Sequence, residues 1–382
     1  MTLLRFSDEQ RAFAEAIRDF AARECGTREQ REALTQGGRE PHNQELYSRI
    51  AALGWLGAAI PEPYGGSGGG AVELCLLCEE FSRGQIPMGF FPVTMMAAKP
   101  VERFATEELK HELLPAIVGG QVQAIAMSEP EAGSDVAGVS CRAAPADGGY
   151  VLNGQKTWIT GAHAAAHILV VCRTSQGASK HDGLSMLSVP AGAPGMEIRP
   201  IETMGAREVN DIFLTDCFVP ASRLVGEEGR GWSQLMAGLN NERMIIAAQS
   251  LGAAQRAFDD VLAYVKERRQ FGRPVGSFQA LSHRLAELAT DLAAVRLLVY
   301  DLAARVAAAP EKTFAREASM AKLKASELTK RMSLEAMQMM GGAGYAVEYG
   351  MEHQVRVALV TTIYGGTSEI QREIIARSYG LS

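Results

Sequence analysis

The chain has 382 residues, enough to bury a large core and to divide into two or three domains, with an ordinary globular balance of 47% hydrophobic and 21% charged residues. A net charge of -6 argues against a general nucleic-acid binder, which would carry a basic excess. No apolar run approaches the ~20 residues needed to span a bilayer, and the opening MTLLRFSDEQR matches neither a secretory signal nor a transit peptide, so a mature cytoplasmic protein is expected.

Ser7-Asp8-Glu9-Gln10 reads as a capping box, and Phe13, Ile17 and Phe20 follow at helical spacing. Leu46, Ile50 and Leu53 mark a second helix that stops near Gly54. The segment IPEPYGGSGGG, residues 60–70, has prolines and glycines enough to exclude a regular element. It lacks the Gly-Lys-Ser/Thr of a phosphate loop and is expected to be a connector. Helical patterns resume over 71–81, 93–104 and 107–118, so residues 1–120 form an all-helical domain. Cys75 and Cys78 make a C-x-x-C inside the apolar run VELCLLCEEF. No second pair or neighbouring histidines complete a metal set, so these read as buried helix cysteines.

From residue 121 the period falls to two. YVLNGQKTWIT predicts a tight Asn153-Gly154 turn between two short strands. HILVVCR, GLSMLSVP, GMEIRP and NDIFLTDCFVP each fit a further strand. No helix intervenes to make a parallel crossover, so residues 121–230 form a small antiparallel β domain. Helical periodicity then returns over 232–269, 278–308 and 311–340, and long helices with short connections make a bundle across 231–382. The fold class is mainly α with a central β domain.

No G-x-G-x-x-G follows a strand, which removes the usual dinucleotide motif. The segment 124–161, AIAMSEPEAGSDVAGVSCRAAPADGGYVLNGQKTWITG, gathers small residues, hydroxyls and one tryptophan where the period changes. Ser128-Glu129-Pro130, Ala132-Gly133-Ser134-Asp135, then Gly154, Lys156, Trp158, Ile159 and Thr160 closely resemble the flavin-pocket motif of the acyl-CoA dehydrogenases. Arg268, Gln270 and Phe271 in ERRQFGRP resemble a second signature of that family, and the run from Gln338 to Tyr345 with Gly341-Gly342 a third. IYGGTSEIQREIIAR resembles its C-terminal motif, and the likeness covers nearly the whole chain. It implies an N-terminal helical domain, a small β domain and a C-terminal four-helix bundle.

The resemblance implies FAD as cofactor, an acyl-CoA substrate, an electron-transferring flavoprotein as acceptor and a homotetramer. By it, Met127 and Ser128 meet the pyrimidine side of the flavin, while Trp158 and Thr160 lie along the ring. Arg268, Gln270, Phe271, Gln338, Gly341, Gly342, Thr367 and Glu369 fall at FAD positions. Ser134, Asn240 and Arg243 fall on the substrate side.

One departure bears on mechanism: many members have a catalytic glutamate where this chain has Gly365. The α-carbon of a thioester is weakly acidic, so the reaction needs a carboxylate raised in pKa by burial. Glu242 in GLNNERMIIA stands where long-chain and isovaleryl-CoA dehydrogenases place their base, opposite a small residue at the other position. The resemblance therefore implies Glu242 as base, with the Gly365 N–H kept as a donor to the thioester carbonyl. Arg243 is not expected to pair with Glu242, since adjacent helix residues point about 100° apart. Two rivals remain: the same chemistry on an acyl chain carried by an acyl carrier protein, and a non-catalytic subunit of a mixed tetramer.

Overall fold

The computed structural model describes residues 6–381; the first five residues of the N-terminal reading above, Ser382, and the side chains of Ala237 and Leu239 lie outside it. The described chain packs into two compact units. One combines Met1–Glu32, Gly70–Ile86 and Asn240–Ser382, the other Ala33–Gly69 and Pro87–Leu239.

In chain order the first helices are α1 (Asp8–Cys25), α2 (Arg28–Leu34), α3 (Gln44–Ala52), α4 (Ala71–Arg83), α5 (Phe91–Phe104) and α6 (Glu107–Val118). The capping box forms as read: the Gln10 N–H donates to Ser7 Oγ at 3.1 Å and the Ser7 N–H to Gln10 Oε1 at 3.0 Å. The strands are β1 (Gln123–Ala126), β2 (Arg142–Ala146), β3 (Gly149–Thr160), β4 (His167–Arg173), β5 (Leu184–Pro190), β6 (Met196–Pro200), β7 (Val209–Pro220) and β8 (Leu224–Val225). After the long helix α7 (Gly231–Glu267) comes a two-stranded ribbon, β9 (Arg269–Gln270) and β10 (Arg273–Pro274). Then follow α8 (Gln279–Ala308), α9 (Ala315–Met340), α10 (Gly342–Tyr345), α11 (Met351–Val360) and α12 (Ser368–Ser378).

In the first unit α1 packs on α4, α4 on α8, and α9 against α8, α11 and α12. Two buried carboxylates fasten the N-terminal helices there. Glu80 receives the Arg18 guanidinium, and Glu79 receives Arg296 and the Tyr300 hydroxyl, the latter at 2.6 Å. The buried face of α9 is built from small residues, among them Ala318, Ala321, Ala325 and Ala336. Its Ser326, Thr329 and Ser333 hydroxyls turn back onto carbonyls four residues earlier, and Thr329 also reaches the Ser250 carbonyl of α7 at 2.7 Å. Cys75 and Cys78 are buried in α4, and burial pushes the Cys78 thiol up to about 12, so it stays protonated and inert.

In the second unit the sheet runs β6-β7-β3-β2-β4-β5-β8, with β1 beside β4. Two details depart from the sequence reading. The hairpin turn lies at Asp147-Gly148, between β2 and β3, and β3 continues through Asn153 and Gly154 with a break in its register to β7 between Leu152 and Gly154. Both dipeptides suit a tight turn. At Gly154, however, the φ is +151° and a Cβ would lie 2.8 Å from Cys141 Cα, so this glycine serves close strand approach. The sheet is also not wholly antiparallel, because β1 runs parallel to β4 in the register Gln123↔His167 to Ala126↔Val170. The chain between β1 and β4 holds a 3-10 turn at Val136–Gly138 and the β2–β3 hairpin, so this parallel connection is made without an α-helix.

Candidate active site

The flavin-motif residues of the second unit are organised by a buried ion pair. Lys156, fully enclosed, donates to Glu129 Oε1 at 2.8 Å and to the Met127 carbonyl at 3.0 Å. Glu129 also accepts from the Ser140 N–H and hydroxyl and from the Cys141 N–H, at 2.7–2.9 Å. Burial would raise its carboxyl; the Lys156 ammonium and these donors outweigh burial and hold it below the usual carboxylate range. The Thr157 N–H bonds the Ser128 carbonyl at 3.0 Å, so the 127–129 segment is stitched to β3 at three points.

Immediately beyond, the β3–β7 pairing breaks register between Lys156 and Ile159, a bulge that holds Trp158. Trp158 has φ +61°, a left-handed conformation costing a non-glycine residue about 1–2 kcal/mol. Its side chain is 60% exposed, so it is not a core residue of the hairpin. The bulge thus presents a large ring to the outside, beside half-buried Ser128, Met127 and Thr160. A planar conjugated ring system fits such a platform. Ser134 is exposed, and its neighbour Asp135 is held by Lys180 at 2.7 Å.

In the first unit Glu242 and Gly365 meet. A Cβ built at Gly365 would lie 3.5 Å from Glu242 Oε1 and would collide with Ile246 Cδ1. The carboxylate of Glu242 and any side chain at 365 therefore compete for one space. Glu242 is 9% exposed and receives no hydrogen bond from the described residues. Burial pushes its carboxyl up to about 7, offset in part by the charges of Arg243 and Lys322. Arg243 does not pair with it; its guanidinium donates to Asn240 Oδ1 at 2.9 Å, and its buried Nε has no partner.

Gly365 has φ +63° and Gly366 +82°, conformations that favour glycine at both positions. Thr367 caps α12 by accepting from the Ile370 N–H, and Glu369 stands exposed in its first turn. Gly365→Ala is expected to strain the backbone and push Ile246 aside, lowering both thermal stability and turnover. Adding Ile246→Ala should return part of the loss, which differential scanning calorimetry and steady-state rates on the two variants would measure.

The remaining predicted residues lie at exposed ends of the helices. Arg268 follows the C-terminus of α7, and Gln270 precedes a two-residue turn formed by Phe271 and Gly272 at φ +51° and +78°. Phe271 is 92% exposed. Gln338 is exposed in the last turn of α9, whose end Gly341 closes by donating to the Gln338 carbonyl at 3.2 Å, with Gly342 exposed beside it. An exposed aromatic beside arginines fits the adenine and diphosphate of a dinucleotide.

Sequence reasoning missed two buried lysines. Lys156 was noted only as a motif letter, and Lys322 in α9 was not noted at all. Its signal was there: one lysine in register with Ala318, Ala321 and Ala325 on the apolar face of a helix.

Family models describing the N-terminal, middle and C-terminal domains of acyl-CoA dehydrogenases match residues 7–121, 124–217 and 229–380. Over 375 residues the chain is 38% identical to a probable acyl-CoA dehydrogenase, YngJ, of Bacillus subtilis, covering 97% of each chain. It is 36% identical to CarC, the caffeyl-CoA reductase-Etf complex subunit of Acetobacterium woodii, covering 97% of this chain and 98% of that one. The crystal structure of an acyl-CoA dehydrogenase from Geobacillus kaustophilus superposes with a TM-score of 0.90 at 34% identity, over 98% of both chains. With the same helix–sheet–helix order and the same three domains end to end, the chain belongs to the acyl-CoA dehydrogenase family.

Proposed function

We propose that this oxidoreductase of the CH–CH class, with FAD as its cofactor, oxidises an acyl-CoA thioester to the trans-2-enoyl-CoA, with Glu242 as the base. The observation that carries the reading is the meeting of the Glu242 carboxylate with Gly365, whose missing side chain leaves that carboxylate its space. Bound FAD supplies the hydride acceptor. Glu242 takes the α-proton, a task for which a carboxyl titrating near pH 7 is matched to neutral conditions. The N–H groups of Gly365 and Gly366 donate to no acceptor among the described residues. The Gly365 N–H is therefore free to stabilise the oxyanion that forms on the thioester oxygen as the proton leaves. Trp158 and Thr160 orient the flavin ring, Met127 and Ser128 hold its edge, and Arg268, Gln270, Phe271, Gln338, Gly341, Gly342, Thr367 and Glu369 serve the rest of the cofactor. Ser134, Asn240 and Arg243 serve the thioester's carrier.

An electron-transferring flavoprotein is the proposed acceptor, as the name of the Acetobacterium complex suggests for that relative. Phe271, Tyr345, Val347 and Ile363, 58–92% exposed, support assembly with further copies of the chain into a homotetramer. Burial of Glu242 speaks against a silent subunit, because an unused ionisable group is costly to enclose.

Anaerobic mixing with a panel of acyl-CoAs should bleach the visible flavin band, and the fastest member sets the chain length. The bleaching rate should rise with pH through about 7, as Glu242 loses its proton. A rate flat from pH 5 to 9, or bleaching by acyl carrier protein thioesters alone, would refute the proposal.

A further inference from the structure

Lys322 has no role in the reading above, yet it is one of the most thoroughly buried side chains in the molecule. Its side chain is fully enclosed on the small-residue face of α9. The ammonium donates to the Thr361 carbonyl at 3.0 Å and to the Gly366 carbonyl at 2.9 Å. Gln371, equally buried on α12, donates to the Gly365 and Gly366 carbonyls, both at 3.0 Å. The Ser368 N–H closes on the Thr362 carbonyl at 3.0 Å. Four carbonyls of the 361–366 segment are thus held by donors from beneath, while the glycine N–H groups are left free.

A neutral donor reaches two of these carbonyls without the cost of burying a charge, as Gln371 demonstrates, so the charge of Lys322 calls for a separate explanation. The groups that act on it electrostatically are Glu242 and Arg243 on α7, Glu327 on its own helix and Glu369 on α12. Glu327 is 41% exposed and Glu369 79%, which leaves solvent to screen them; Glu242 is the buried anion of the set.

We infer that Lys322 is a positioning residue for proton transfer: its ammonium fixes the backbone from Thr361 to Gly366 and adds to Arg243 a second countercharge for Glu242. The inference rests on Glu242 as base. Burial lowers Lys322 to about 8 and raises Glu242 to about 7, and each is partly restored by the other's charge. Between those values both are predominantly charged. As pH rises past about 8, Lys322 loses its proton and Glu242 keeps the Arg243 charge alone.

The test uses the FAD-loaded protein and the variants Lys322→Gln and Lys322→Arg, each first checked by thermal melting. Two readouts are followed: the pH profile of kcat/KM with the best acyl-CoA, and amide hydrogen exchange of the peptide spanning 361–367. Lys322→Gln should move the acidic limb of the profile to higher pH and speed exchange at the hydrogen-bonded amides of Thr361, Ile363 and Tyr364. It should also lower kcat by roughly 10²-fold, the usual cost of a reacting group misplaced by about 1 Å. Lys322→Arg keeps the charge and not the geometry, so its acidic limb should stay in place while exchange still quickens.

An unmoved limb together with wild-type exchange in Lys322→Gln would overturn the inference. If that variant does not fold, wild-type exchange and kcat in Lys322→Arg would overturn it instead. Glu242→Gln, run alongside, separates the two ideas. Full activity there sinks the base, while exchange in the Lys322 variants still decides whether the ammonium holds the loop.

Discussion

Glu242→Gln is expected to lower kcat by about 10²–10⁴-fold, the range that a positioned general base contributes. Glutamine has the shape of glutamate and fills the same space beside Gly365, so substrate binding and cofactor content should change little. The same substitution should also leave a signature in stability. The folded-state value of Glu242 is raised from 4.5 to about 7, so the native state holds a proton there that the unfolded chain has released. The stability this proton confers is fully present below about pH 4.5 and is lost as pH rises through about 7.

A shift of that size corresponds to a few kcal/mol, at about 1.4 kcal/mol per pH unit. Glu242→Gln should accordingly be more stable than the parent at pH 8 and little different at pH 5, as measured by thermal melting. Loss of turnover together with the pH-dependent gain would mark one buried carboxylate as the source of both. Turnover retained in the variant would remove Glu242 from the mechanism. Moving the carboxyl to the neighbouring position, by Glu242→Gly with Gly365→Glu, should return activity only when Ile246→Ala clears the space that a side chain at 365 needs.

The helices were legible because a single face must be apolar to be buried. The 107–118 pattern is the span that α6 occupies, and the capping box at Ser7 formed with both of its bonds. Strand pairing was less so. Asn153-Gly154 and Asp147-Gly148 carry the same turn chemistry, and what separates them is Cys141 packing on Gly154, a contact with the residue that leads into β2. The parallel β1–β4 pair was invisible for a related reason: register is set by tertiary neighbours, and period-2 alternation says nothing about direction.

At the candidate site, spacing alone could not bring Glu242 to Gly365, which lie far apart in the chain and meet because α7 packs near the loop before α12. Family resemblance carried that expectation. The buried lysines escaped both routes, since charge in a sequence reads by default as solvated surface. Lys322 is enclosed because two backbone carbonyls replace the water it loses, and Lys156 because a backbone carbonyl and the Glu129 carboxylate do.

Lys156 is where removal of one such charge should be felt most in stability. Lys156→Met keeps most of the bulk of the side chain, one atom shorter, and leaves Glu129 enclosed without its cation. Breaking a buried pair from one side costs about 3–5 kcal/mol, because the surviving charge has lost its compensation. The loss should depend on pH in a defined direction. In the parent, Glu129 is held below its ordinary value, so its contribution to stability is present above the unfolded pKa and fades as pH falls through the folded one. In the variant that advantage shrinks, and the deficit relative to the parent should be largest near neutrality and narrow toward acid.

A second substitution, Glu129→Gln, should recover part of the loss by removing the stranded charge while still accepting one of the N–H donors from Ser140 and Cys141. The Met127 carbonyl would stay without its ammonium in both variants, so the 127–129 segment would remain loose beside the bulge that carries Trp158. Flavin content after purification should therefore fall in the single variant and stay low in the double one, even where unfolding experiments show stability returning. Flavin content that rises in step with stability would mean that the ion pair supports the sheet alone and leaves the placement of Trp158 to the bulge.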